Sequence, residues 1–335
     1  MEAASQDTRS DDIPSFMGED KVRQECKSLI SSLPSDKDFL GRNLCNYNGF
    51  WFYSNTLQAV IDVQNHFRTL DTDVIVASFP KAGTTWLKAL TFAIVNRSKY
   101  RSNPENHPLL SQNPHTLVPF LEIDLYSENK TPDLAKVPSP GLFATHMPFL
   151  LLQESVKESS CKIVYVCRNL KDNVVSAWHF RRGYMISEMH GTTLKLMIES
   201  FCRGVHFCGP FWDHALSYWK ESSENPDRVF FTKYEDMKNE PRAQIKRLAR
   251  FLGCPFTEEE EMNGSVDEIL NLCSLRSLKD LEINKTGKAP CSIDCKNFFR
   301  KGEVGDWKNH LTGEMAKKMD EIVGMKLQGS GLVFE

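Results

Sequence analysis

The turn FPKAGTTW, Phe79 to Trp86, collects residue types that hold a multiply charged anion. Lys81 offers a full positive charge, Thr84 and Thr85 offer hydroxyl donors, and Gly83 lets the backbone curl close to a ligand. The turn follows the apolar run TDVIVAS and leads into WLKALTFAIVNR. A strand, this turn and a helix would aim the first N–H groups of the helix, and the positive end of its dipole, at a phosphate or sulfate. The same residues would also serve as a plain strand–helix turn with N-capping threonines and a solvent-facing lysine. The G-x-x-x-x-G-K-[ST] nucleotide loop is absent, because the single glycine follows the lysine. A kinase or NTPase would therefore lack its magnesium-binding hydroxyl at the usual place.

Three further groups have suitable chemistry. His146 closes the run GLFATH, at a strand end where side chains reach a ligand crevice, and a histidine can act as a general base near neutral pH. Arg168 closes CKIVYVCR, and Ser176 follows about two helical turns later. Arg300, Lys301 and Gly302 combine a phosphate-binding fork with a backbone that a ligand can approach. Taken singly, a histidine at a strand end is more often structural, and Arg-Lys-Gly is more often a solvated basic loop. His107, His115, His179 and His214 stand in no such pattern and are read as structural.

The elements that must position these residues follow from apolar periodicity. Strands are expected over 73–79, 141–146, 161–168 and 228–234. Helices are expected over 20–33, 85–96, 171–180, 211–221, 240–252, 258–272, 274–283 and 313–327. Strands alternating with helices predict an α/β fold, a single domain with a central parallel sheet flanked by helices. Its opening unit is a P-loop-like strand–loop–helix. Residues 1–20 are expected to form a disordered tail and 21–335 the domain. The stretches 179–193 and 284–306 lack strong periodicity and are candidate functional loops.

Composition bounds the alternatives. The 335 residues are 41% hydrophobic and 25% charged, with a formal net charge of -3. That is ordinary globular chemistry with nothing that calls for nucleic acid or an acidic membrane surface. The acidic N-terminus does not read as a secretory signal or transit peptide, and no apolar run reaches bilayer length. The ten cysteines form no CxxC pair, which suits reduced thiols and a cytoplasmic location.

FPKAGTTW closely resembles the phosphosulfate-binding loop of the cytosolic sulfotransferases. THMP (145–148), CRNLKDNVVSAWHF (167–180), KYEDM (233–237) and RKGEVGDWKNHL (300–311) are similar to that family's other motifs, in the family's order. WLKALTFAIVNR, NPHTLVPFLE and GPFWDH resemble the plant members. The resemblance implies transfer of a sulfuryl group from 3′-phosphoadenosine-5′-phosphosulfate (PAPS) to a hydroxyl of a small acceptor, without a metal. It implies that Lys81, Ala82, Gly83, Thr84 and Thr85 hold the 5′-phosphosulfate. Lys81, His146 and Ser176 take the catalytic positions, with His146 as the base. Arg168, Ser176, Arg300, Lys301 and Gly302 would hold the 3′-phosphate, and Trp86 and Tyr234 the adenine. For Tyr234 a core role is an equal alternative.

Some positions depart from the family pattern. Cys273 and Leu275 fall where an adenine-stacking aromatic often follows a Ser, so Leu275 offers apolar contact only. Ala144 stands where animal members have a lysine. In the animal dimer motif Lys308 and Thr312 fit but Gly313 and Lys317 do not, so a monomer is expected. An apolar acceptor pocket is expected from Phe50, Trp51, Phe52, Tyr53, Phe149, Tyr184, Met185, Ile186, Met189 and Phe207, although any one of these also suits a plain core. Plant members of the family sulfate flavonols, brassinosteroids, hydroxyjasmonates and desulfoglucosinolates, and the reading favours a flavonoid or steroid-like hydroxyl. The alternatives are a P-loop-like kinase or NTPase, and a sulfotransferase-fold binding protein with weak catalysis.

Overall fold

The computed structural model describes residues 13–185 and 193–334. After α1 (Gln24–Ser32), the strands β1 (Ser35–Lys37), β2 (Asn43–Tyr47) and β3 (Phe50–Phe52) form a small antiparallel sheet, followed by α2 (Ser54–His66). Next come β4 (Val74–Ser78), α3 (Thr84–Tyr100), α4 (Pro114–Leu117), β5 (Leu142–Thr145), α5 (Phe149–Val156), β6 (Lys162–Cys167) and α6 (Leu170–Arg182). Then α7 (Thr193–Arg203), α8 (Phe211–Glu224) and β7 (Val229–Lys233) complete the sheet-forming part. Strands β4 to β7 form one parallel sheet in the order β5-β4-β6-β7, the central parallel sheet expected from the alternation of elements.

Strand alternation divides the interior into two cores. Ile75, Ala77, Phe143, Ile163, Tyr165 and Val229 face one, while Val74, Val76, Leu142, Val164, Val166 and Phe230 face the other. The first core is covered by α2, α5, α6 and α8 and the second mainly by α3, so both faces of the sheet are buried. The C-terminal ends of the strands and the loops beyond them form one crevice, as the open α/β arrangement requires.

Several expected boundaries change. The tail foreseen over 1–20 is packed from Ile13 onward, with Met17 buried and Asn55 Nδ2 donating to the Ser15 carbonyl at 2.8 Å. Residues 1–12 lie outside the described part. The helix expected over 258–272 is two, Glu258–Met262 and Ser265–Leu272, separated where Gly264 turns left-handed at φ 85°. The one expected over 274–283 is likewise two short turns, Leu275–Asp280 and Glu282–Thr286. The candidate loop 179–193 begins as helix, because α6 runs on to Arg182, and residues 186–192 lie outside the described part. Among the described residues no helix is long and apolar enough to cross a membrane.

Candidate active site

The strand–turn–helix is built as its residues suggest. Between β4 and α3 the chain takes φ 67° at Lys81 and φ 120° at Gly83. A Cβ added at Gly83 would stand 2.7 Å from Cδ2 of Tyr234, so the loop is pressed onto that ring and only glycine fits. The open first turn of α3, from Thr84, faces the crevice. Ala82 does not face it. That residue is fully buried, and its N–H is spent on the Phe79 carbonyl at 3.1 Å, which removes it from the expected anion contacts.

Lys81 Nζ lies 3.6 Å from the centroid of the Phe180 ring and 5.4 Å from that of Phe298. Burial, then the nearby guanidinium groups of Arg168 and Arg300, bring its ammonium down to about 7. A charge so poorly compensated is a strong point of attraction for an anion.

His146 directly follows β5 and lines the same crevice. Its Nδ1 lies 2.7 Å from the Ser78 carbonyl oxygen, an atom that can only accept. The ring proton must therefore sit on Nδ1, leaving Nε2 with a lone pair. Burial brings the imidazole down to about 3, so it is neutral at neutral pH. The backbone is clamped as well: His146 N–H donates to Glu122 Oε1 at 2.6 Å, and His214 Nε2 donates to the His146 carbonyl at 3.0 Å. Ser78 Oγ bridges to Thr84 Oγ1 at 2.6 Å, tying the base side to the anion loop.

At the other end, Arg168, Ser176, Arg300, Gly302 and Tyr234 line the crevice. The Arg168 guanidinium lies 4.5 Å from the Tyr234 ring centroid and donates to the Glu303 carbonyl at 2.5 Å, while its buried Nε finds no partner among the described residues. A buried donor left unmatched beside a glycine-lined opening fits an anionic ligand. Arg300 Nη1 and Lys301 Nζ both hold Asp306, at 2.5 and 2.7 Å. Burial would raise the Asp306 carboxyl, but hydrogen bonds from Lys301, Arg300 and Asn309 outweigh it and hold the group well below the usual range. Lys301 thus faces Asp306, and its half-exposed side chain does not line the crevice. Trp86 meets Tyr234 edge-on at 5.6 Å between centroids, and Cys273 and Leu275 complete this apolar end. Tyr234 is buried and also lines the crevice.

The acceptor end differs from expectation. Phe50, Phe52 and Phe149 are packed into the first core and Met185 beside Met17, and none of them reaches the crevice. Trp51 also points elsewhere, and Ile186 and Met189 lie outside the described residues. Tyr53, Tyr184 and Phe207 do line it, with Tyr53 and Phe207 stacked at 5.4 Å. Sequence reasoning missed Phe16, Phe39, Arg181 and His206 on this wall. Tyr53 Oη donates to Asp38 Oδ2 at 2.6 Å and accepts from Arg181 Nη2 at 3.0 Å. His206 lies flat on Phe201, 3.9 Å between centroids, and its Nε2 is buried without a partner among the described residues.

His115, read from the sequence as structural, also lines the crevice, with its Nε2 2.9 Å from Thr85 Oγ1. Behind it Lys88 is fully buried. A lysine amid the apolar residues of WLKALTFAIV was the signal that could have pointed here.

The family model described as the Sulfotransferase domain matches residues 71–331. Cytosolic sulfotransferase 11 of Arabidopsis thaliana is 58% identical over 323 residues, 96% of this chain and 92% of that one. A crystal structure described as a candidate steroid sulphotransferase of Arabidopsis thaliana is 41% identical, with a TM-score of 0.76, covering 96% of this chain and all of that one. A mouse sulfotransferase complexed with PAP is 26% identical at a TM-score of 0.65, covering 86% of this chain and 95% of the other.

Proposed function

We propose, from the premise that this chain belongs to the sulfotransferase family and is a sulfotransferase, that it moves the sulfuryl group of PAPS onto a hydroxyl of a flat polycyclic acceptor, with His146 as the base. The acceptor oxygen attacks sulfur, and the bond from sulfur to the bridging oxygen of the 5′-phosphate breaks with its electron pair going to that oxygen. The hydroxyl proton passes to His146 Nε2, and 3′-phosphoadenosine 5′-phosphate (PAP) leaves. In-line transfer of this kind needs positioning and charge stabilisation more than covalent chemistry. Lys81, which lines the crevice in the same loop, would meet the growing charge on the leaving oxygen with its ammonium. Arg168, Ser176, Arg300 and the backbone at Gly302 would read the 3′-phosphate, and Trp86, Tyr234 and Leu275 the adenine. The mouse sulfotransferase was crystallised with PAP, which supports this choice of donor.

The observation that carries the reading is the 2.7 Å contact between His146 Nδ1 and the Ser78 carbonyl, which presents a bare Nε2 beside the anion loop. The acceptor class rests on the aromatic wall of Phe16, Tyr53, Phe180 and Phe207, a slot for a flavonoid or steroid skeleton. The relatives are named cytosolic, and we place this chain in the same compartment, as a monomer.

The test combines binding and turnover. Without metal, PAP should stabilise the protein in a thermal melt by about 2.7 kcal/mol at about 100 times its dissociation constant, and ADP far less. PAPS with a flavonol or a steroid alcohol should give the sulfate ester. His146→Ala should lose about 10²–10⁴-fold in turnover while binding PAP normally. Equal stabilisation by PAP and ADP would overturn the donor assignment. Loss of PAP affinity in His146→Ala would remove His146 from the base role. PAP binding without turnover of any hydroxylated acceptor would leave a binding protein.

A further inference from the structure

Lys88 and His115 form a buried chain behind the anion loop. Lys88 Nζ lies 3.1 Å from His115 Nδ1 and 3.3 Å from the centroid of the Phe120 ring, and the chain ends at Thr85, which lines the crevice. An ammonium can only donate, so His115 Nδ1 must accept. Burial, then the charges of Lys88, Lys81 and His146, keep this imidazole well below its ordinary range, so it carries one ring proton. That proton is then on Nε2 and is donated to Thr85 Oγ1 across 2.9 Å. Among the described residues Thr85 Oγ1 has no other hydrogen-bond partner, so its own proton is left for a ligand.

The ring is held firmly for this task. The backbone N–H of His115 donates to Asn113 Oδ1 at 2.8 Å, Asn113 Nδ2 donates to Asn284 Oδ1 at 2.7 Å, and the Phe298 ring packs 4.2 Å from the imidazole between centroids. His146 shows the contrast: there a carbonyl faces Nδ1 and the opposite tautomer results. Lys88 is itself pulled down to about 7 by burial, while Asp124, Cys291 and Glu122 raise it. Were it a neutral amine, it could accept from His115, and Thr85 would donate inward instead of into the crevice.

We propose that Lys88 and His115 are positioning residues for the sulfuryl donor, fixing the Nε2–H tautomer of His115 so that the Thr85 hydroxyl is committed as a donor to the phosphosulfate group. The proposal rests on the donor-site reading above, and its first readout needs no nucleotide. In protein labelled with ¹⁵N-histidine and held at about pH 6, where Lys88 is an ammonium, the His115 ring, assigned by its disappearance in His115→Gln, should give the shift pattern of an Nε2–H tautomer. Lys88→Met should move that pattern toward Nδ1–H and weaken PAP binding about tenfold. In a Thr85→Val background the same substitution should have little further effect on PAP affinity. A dominant Nδ1–H signal in the unsubstituted protein overturns the proposal, even if Lys88→Met fails to fold. Fully additive losses in the double variant overturn it as well. Failure of the unsubstituted protein to bind PAP would instead indict the donor-site reading.

Discussion

At the residue scale, the site works by withholding compensation from a few charged and polar atoms. Lys81 has aromatic rings and two guanidinium groups for neighbours, and its ammonium is brought to about 7. The ammonium is the form that attracts an anion, and its population falls as pH rises through that value. PAP affinity, measured by titration without acceptor, should therefore weaken steadily above about pH 7. Lys81→Arg, charged throughout, should flatten the curve, whereas a flat profile in the unsubstituted protein would exclude Lys81 from the anion contact. Arg300 already holds Asp306 and gains a second anion only if a 3′-phosphate arrives. Arg300→Ala should accordingly weaken PAP by about tenfold or more and ADP by about twofold or less. Equal losses on the two nucleotides would remove Arg300 from 3′-phosphate recognition. Lys81, His146, Arg168 and Arg300 were singled out in the sequence because they fall in short motifs that resemble those of the sulfotransferases; taken singly, His146 read as structural and Arg300-Lys301-Gly302 as a solvated loop. His115 and His206 were not, because their roles depend on what packs against them from distant parts of the chain.

At the scale of elements, the loop between β4 and α3 is the most constrained piece of backbone in the site. Gly83→Ala would meet Tyr234 at 2.7 Å in a conformation that side chains rarely adopt. It should cost about 1–3 kcal/mol of stability and abolish PAP binding. Gly253→Ala is the control: φ is also positive, but nothing lies within 4 Å of the added Cβ. It should cost stability alone, so equal effects on PAP from the two variants would mean that backbone strain, not the loop, is being measured. The parallel strands were readable because both of their faces are apolar. The three-stranded antiparallel sheet was not, since its strands are only three to five residues long. Helix α2 escaped notice for a different reason. Its buried side includes Asn55, Thr56, Gln58 and Asp62, which bond the segment from Ser15 to Arg23, so no clean apolar stripe shows.

At the scale of the molecule, the segment beginning at Ile13 closes the acceptor end. Phe16 packs 5.6 Å from Phe207, and Arg181 Nη1 lies 3.1 Å from Met17 Sδ. Phe16→Ala should raise the acceptor KM by roughly tenfold, the worth of one buried apolar side chain, with the PAP dissociation constant unchanged. A parallel change in PAP affinity would show that the segment supports the whole crevice instead of one wall.

The two walls have different foundations. The proposed donor wall rests on strand ends of the parallel sheet and on the first turn of α3. The proposed acceptor wall includes Phe16, Phe39, Arg181 and His206 beside Tyr53, Phe180 and Phe207, all carried by stretches that contribute no strand to the parallel sheet. After gene duplication, a copy of such a chain can drift at those positions and acquire a new target molecule while the machinery that reads the donor is inherited intact.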